Sequence, residues 1–282
     1  MTRPIAFGLN VDPNRGGAAI AARIAAIADT TGLEYVGVQD HPYNADFVDT
    51  FTLITWLAAH TERVTFFPNV ANLPLRPPTM LAKQAATIDV LSGGRFELGL
   101  GAGAFADGVA GMGGPRRSTA EARAALGEAI DIIRATWAGE PYEFSGTHYD
   151  VPGMQPGPRP AHDIGIWLGV VGPRAARLLG AKADGWAVSA PYVPPDRLPE
   201  LNEIITTAAV EAGRDPARIN RLYNIMGLID GDQPVARWVD TITGLYTDHG
   251  MTSFVYWPSK DRERQSRVFA EEVVPAVRAA LR

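Results

Sequence analysis

The chain has no cysteine among its 282 residues, which excludes disulfides, thiolate nucleophiles, iron–sulfur ligation and Cys-based zinc sites. It has three lysines against 23 arginines and a net charge of −5. The arginines are scattered, so no basic stripe can track a nucleic-acid backbone, and no nucleic-acid partner is expected. No apolar run approaches the roughly 18 residues of a membrane span, and MTRPIAFGLNVDPNRGG lacks the apolar stretch of a secretory leader. A cytoplasmic protein with no membrane partner is the expectation. Spacings such as H-x-H or H-E-x-x-H are missing, so no metal is expected.

What is present is a core. Hydrophobic residues make up 46% of the sequence and charged residues 20%, the balance of a folded globular protein. Short apolar runs read as strands at 5–11, 34–41, 64–70, 95–101, 164–171, 185–189, 221–229 and 252–257. Helical segments follow them: up to Thr31, Asp49–His60, from Pro77-Pro78 to Ser92-Gly93-Gly94, from Ser118 or Thr119 to Ala138, Pro173–Ala183, Pro195–Ala212, Val235–His249 and Arg262–Leu281. Gly32 and Ser92-Gly93-Gly94 are placed to stop two of them, and Pro77-Pro78 can open the second of these because first-turn N–H groups are unpaired anyway. Two excursions interrupt the alternation, a glycine-rich loop at 104–117 and a hairpin region at 139–163. Eight strand–helix units predict a (β/α)8 TIM barrel, one domain over 1–282. The alternative, a doubly wound open sheet, needs a glycine fingerprint after the first strand, and Gly8 alone does not supply it.

Barrel active sites lie at the C-terminal strand ends. Those ends carry Asn10 and Asp12, Asp40 and His41, Asn69, Val70 and Asn72, Gly101 and Gly103, Val170 to Gly172, Ser189, Gly227 and Trp257. His41 titrates near neutrality and suits proton transfer, or else it is a loop histidine satisfied by Asp40. GLGAGA (99–104) either thins the backbone for a flat ligand or forms a plain turn. Gly172-Pro173-Arg174 opens a helix whose free N–H groups suit a phosphate, although every helix has such an end.

LPLRPPTMLAKQAATIDVLSGGRFELGLGAG (73–103) and WLGVVGPRAARLLGAKADGWAVS (167–189) resemble the two signatures of the luciferase-like monooxygenase superfamily. The resemblance implies a bacterial luciferase-like barrel binding coenzyme F420 or FMN at its mouth. It also implies a flavin- or F420-dependent oxidoreductase or monooxygenase acting on a small-molecule substrate, in a family where homodimers are common. By the same resemblance Asp40 and His41 are the catalytic pair, and Asn69-Val70 forms a non-prolyl cis peptide under the cofactor ring. Asn10, Gly101, Gly103, Val171, Gly172, Pro173 and Arg174 complete the cofactor contacts. The Asp-His pair and the L-G-x-x-G-P-R run place F420 ahead of FMN. The glutamate and lysine of the family's sugar-phosphate dehydrogenases are replaced here by Ala104-Phe105 and Pro191-Tyr192, so a fairly apolar substrate is expected, with Phe105, Met112, Tyr192 and Trp257 at the rim. The alternative function is a non-catalytic flavin-binding protein of the same fold.

Overall fold

A computed structural model describes residues 4–282. The chain runs β1 (Ala6–Val11), α1 (Ala18–Thr31), β2 (Tyr35–Val38), α2 (Thr50–Ala58), β3 (Thr65–Pro68), β4 (Ala71–Asn72), α3 (Pro78–Ser92) and β5 (Leu98–Gly101). It continues with α4 (Ala106–Gly111), α5 (Thr119–Ala138), the strands β6 (Tyr142–Ser145) and β7 (Asp150–Met154), β8 (Ile166–Leu168), α6 (Pro173–Lys182), β9 (Gly185–Ser189) and α7 (Leu198–Glu211). The last elements are β10 (Asn220–Gly227), α8 (Val235–Thr247), β11 (Ser253–Pro258) and α9 (Arg262–Val268), which passes through a π-helical stretch, Phe269–Val273, into α10 (Val274–Ala280).

Local chemistry sets many of these bounds. Gly32 and Gly93 adopt left-handed φ of 75° and 70° and end α1 and α3. Asp49 caps α2 through Thr52 N–H at 2.9 Å. Ser118 and Glu121 form a reciprocal capping box on α5.

The strands form a parallel sheet in the order β3-β2-β1-β11-β10-β9-β8-β5-β4. A parallel bridge from Phe66 to Phe96 joins the two ends. β3 and β4 are halves of one barrel stave: β3 pairs with β2, β4 pairs with β5, and the cis peptide Asn69–Val70 lies between them. The nine segments therefore make the eight staves of a (β/α)8 barrel, as the sequence predicts. β6 and β7 form the antiparallel hairpin of the second excursion.

Two expectations change. The 104–117 excursion is not all loop, because α4 forms inside it behind Phe105, a non-glycine residue at φ 61°. The segments 34–41 and 164–171 leave the ladder early, at Val38 and Leu168, so that their polar or glycine-rich ends line the mouth. Among the described residues no helix is long and apolar enough to cross a membrane.

The barrel interior is layered. At the N-terminal end Phe67, Trp167, Ala187, Leu222 and Val255 pack with Tyr35 and Val70, and the Trp167 ring lies 5.1 Å from Phe67 and 5.2 Å from Tyr35. Glycines make room for this layer: a Cβ on Gly185 would stand 2.5 Å from Trp167. Above it sits a polar layer, and above that the barrel opens.

Candidate active site

The polar layer is built of side chains from four staves. Asn69 Nδ2 donates to Asn224 Oδ1 at 2.8 Å, and Asn224 Nδ2 donates to Ser189 Oγ at 3.1 Å. Asn10 lies 3.1 Å from Asn69 Nδ2. All four are inward positions one layer above the aromatic floor; Asn10 and Asn224 hold the side chain of Asn69, the residue just before Val70, and Ser189 backs Asn224. The Val70 methyl groups fill the space that Gly99, Gly101 and Gly169 leave open: a Cβ on Gly101 or Gly169 would stand 2.8 or 2.7 Å from Val70 Cγ2. The tip of β3 thus forms a ledge across the barrel. Gly103, at φ 90°, has its Cα face against Pro74, so no side chain fits there either.

Above the ledge is a cavity of about 600 Å³, within the range of small-molecule sites. Asp12, Gln39, His41, Tyr43, Asn72, Ala104, Phe105, Val171, Pro191, Tyr192, Met226 and Trp257 contribute to its walls. Of the expected rim, Phe105, Tyr192 and Trp257 line it, whereas Met112 does not.

Asp40 and His41 do different things. Asp40 is 3% exposed, and Arg76 grips both its oxygens, Nε to Oδ2 at 2.9 Å and Nη2 to Oδ1 at 2.7 Å. Asn72 N–H adds a bond to Oδ2 at 2.8 Å. Arg76 also reaches Asp49 at 2.7 Å and lies 4.5 Å over the Phe51 ring. Burial works against its charge, but the hydrogen bonds to Asp40 and Asp49 prevail and raise its pKa. The reading in which Asp40 satisfies His41 is therefore replaced: the aspartate is committed to Arg76, 36 residues further along the chain.

His41 Nδ1 instead lies 2.7 Å from the Tyr43 hydroxyl. Its ring stands edge-on to Phe105 at 5.6 Å. Burial lowers its pKa from 6.5, against the opposing charges of Asp40 and Asp12, so it is neutral at pH 7. Burial, with Asp40 and Tyr192, raises the Tyr43 phenol to about 12, so it keeps its proton. On the neighbouring stave, just past β1, Asp12 accepts from Trp257 Nε1 at 3.1 Å and pairs with Arg262 at 2.5 Å. Burial raises the pKa of Asp12, opposed by Arg262, Trp257 and His41.

The cavity brings together Asp40, His41, Asn69, Val70, Gly101, Gly103 and Val171. Asn10 lies beneath it. Gly172 and Pro173 open α6 at its edge, and Gly172 provides no side-chain cap there. The Arg174 side chain borders a separate outer hollow with Arg123 and Arg177 between α5 and α6. Tyr43, Arg76, Asn224 and Arg262 are parts of the site that the sequence reading omitted. Inward alternation along β10 marks Asn224 once the barrel is assumed, whereas Arg76 and Arg262 sit in connections whose direction no periodicity reveals.

A (β/α)8 barrel with a ledged cavity at the C-terminal mouth and one neutral histidine on its wall defines a class of small-molecule enzyme. The luciferase-like monooxygenase family model matches residues 5–255, and the chain belongs to that family; it is an oxidoreductase of this kind. An F420-dependent glucose-6-phosphate dehydrogenase of Nakamurella multipartita is 29% identical over 82% of this chain and 69% of its own. An F420-dependent secondary alcohol dehydrogenase, solved with an F420-acetone adduct, superposes with a TM-score of 0.87 at 19% identity over 98% of this chain and 99% of its own. The oxygenating constituent of 3,6-diketocamphane monooxygenase of Pseudomonas putida, a type II Baeyer-Villiger enzyme solved with FMN, gives 0.77 at 17% over 97% and 98%. Proteins similar to this chain thus include F420-dependent enzymes and, at the level of the fold, one solved with FMN.

Proposed function

We propose that this chain is an F420-dependent oxidoreductase of a small, fairly apolar organic substrate, with FMN as the second choice of cofactor. The observation that carries the reading is the placement of His41, held through Nδ1 by Tyr43 on the wall of a largely apolar cavity. An imidazole so held presents its other nitrogen for proton transfer to a substrate oxygen, while Asp40 fixes the loop through Arg76.

The residues fit a flat tricyclic cofactor. Val70 offers an apolar ledge, glycines keep the neighbouring wall low, and the first turn of α6 at Gly172 and Pro173 can meet a phosphate. When bound, the cofactor would supply the hydride chemistry, or for FMN the activation of oxygen. Ala104, Phe105, Pro191 and Tyr192 make the substrate side apolar, which favours an alcohol, ketone or similar compound over a sugar phosphate.

Titration with oxidised and reduced F420 and FMN, followed by fluorescence, tests the reading. Tight F420 binding without FMN binding supports it, FMN binding alone moves it to the second cofactor, and binding of neither removes it.

A further inference from the structure

Inward-facing positions alternate along a strand, so the next side chain that β4 sends into the barrel beyond Val70 is Asn72. Ala71, between them, faces the outer core. Asn72 is 5% exposed and lies in the cavity wall one layer above the ledge. Its backbone N–H is taken by Asp40, but its side-chain Oδ1 is sealed from solvent without a donor. Among the described residues none accepts from its Nδ2. On the adjacent stave Gln39, just past β2, lines the same cavity and likewise makes no side-chain hydrogen bond within the described residues.

Buried polar groups are nearly always paired, because an unpaired one loses its hydration for nothing. A leucine would fill the Asn72 position with similar volume and no such cost. Two idle amides lining one cavity, above an apolar ledge, have the chemistry to read the rim of a flat ring resting there.

We propose that Asn72, with Gln39, recognises the carbonyl and imide edge of that ring, the pyrimidinedione end that F420 and FMN share. The assignment rests on the cofactor reading above. Asn72 Nδ2 donates to a ring carbonyl, or after a half-turn of the amide its Oδ1 accepts from the ring N–H. Gln39 serves the neighbouring ring atom. Asn72 is then a residue of ligand specificity, retained at some expense to the stability of the ligand-free barrel.

The test is Asn72→Leu, with Asn72→Ala as a smaller companion and Gln39→Leu as the second site. Ligand-free melting temperature and the Kd for F420 and FMN are measured for each. The leucine variant melts at or above the wild type, while its Kd for whichever cofactor the wild type binds weakens about five- to tenfold, the value of one hydrogen bond. A wild-type Kd in both Asn72 variants overturns the inference alone. Leucine and alanine variants that both melt well below the wild type also overturn it, since the amide then holds the barrel. If only the leucine variant fails to fold, the Kd of the alanine variant decides. A wild type that binds neither cofactor removes the functional reading itself and this inference with it.

Discussion

His41 and Tyr43 meet through Nδ1 and the phenol hydroxyl at 2.7 Å, and the tyrosine ring is in turn clamped by α4. A Cβ on Gly108 would stand 2.7 Å from Tyr43 Cγ, and Phe105 lies 6.0 Å from the ring centre. The excursion after β5 therefore supports the histidine through a second residue. Tyr43→Phe keeps this packing and removes the hydroxyl alone. Steady-state kinetics should show turnover lower by about five- to tenfold with an unchanged melting temperature, the loss of one orienting hydrogen bond. An unchanged kcat would mean that packing alone orients His41.

His41→Ala should lower turnover about a hundredfold or more, the usual scale of general acid–base catalysis, and leave cofactor affinity within a few-fold. Kinetics with a confirmed substrate and a fluorescence titration check the two halves separately. Wild-type kinetics would remove the proton-transfer role.

The pH profile follows from the direction of the His41 shift. Burial disfavours the imidazolium, so the histidine stays neutral down to a pH below 6.5. A reaction in which it accepts a proton therefore loses rate only on the acid side of that value. Asp12→Asn removes one of the charges that support the imidazolium and frees the positive Arg262 beside it. Both changes push the acid limb of kcat/KM to lower pH, and a limb moving upward would contradict the electrostatic role given to Asp12.

A second histidine predicts a stability effect far from the cavity. His162 Nδ1 lies 2.7 Å from Asp89 Oδ1, Nε2 lies 3.6 Å from Glu97, and Asp89 is fully buried. Asp89 Oδ2 also takes the N–H groups of Ala161 and His162 at 2.7 and 3.1 Å, which ties the end of the second excursion to α3. The nearby Glu97, with the charge of Asp89 and its hydrogen bond to Nδ1, outweighs burial and raises the pKa from 6.5 to about 9. The folded protein binds this proton more tightly than the unfolded chain, so the stabilisation is complete below 6.5 and fades as pH rises through about 9. Melting temperatures between pH 6 and pH 10 should fall across that window in the wild type and more shallowly in His162→Asn. Parallel curves would reject the network.

The barrel was legible because its period is local. β9 occupies 185–189 and α5 ends at Ala138, both as predicted, since a strand of apolar residues and a capped helix carry their own limits. The alternation also placed His41, Asn69, Val70 and Gly101 at one mouth. The links from those residues to their partners were not legible. Arg76 reaches Asp40 from a connection after β4, and Asn224 reaches Asn69 across 155 positions; neither link has a periodic signature. The sequence marks the start of α6 but not which way its first-turn side chains lean, and Arg174 borders the hollow between α5 and α6.

The Asp40–Arg76 pair yields the last prediction. Both side chains are nearly sealed, 1% and 11% exposed, and a buried ion pair broken from one side leaves a charge without water or partner. Arg76→Leu strands Asp40 with only the Asn72 N–H, and should cost about 3–5 kcal/mol in a denaturant titration. Asp40→Asn still accepts from Asn72 and leaves Arg76 its contact with Asp49, so it should cost less. Because Asp40 acts through the loop and not on the substrate, Asp40→Asn should retain more turnover than His41→Ala when both are assayed well below their melting temperatures. If Asp40→Asn were as inactive as His41→Ala while remaining folded, the carboxylate would have to take part in the proton transfer directly, and its pairing with Arg76 would have to open during turnover.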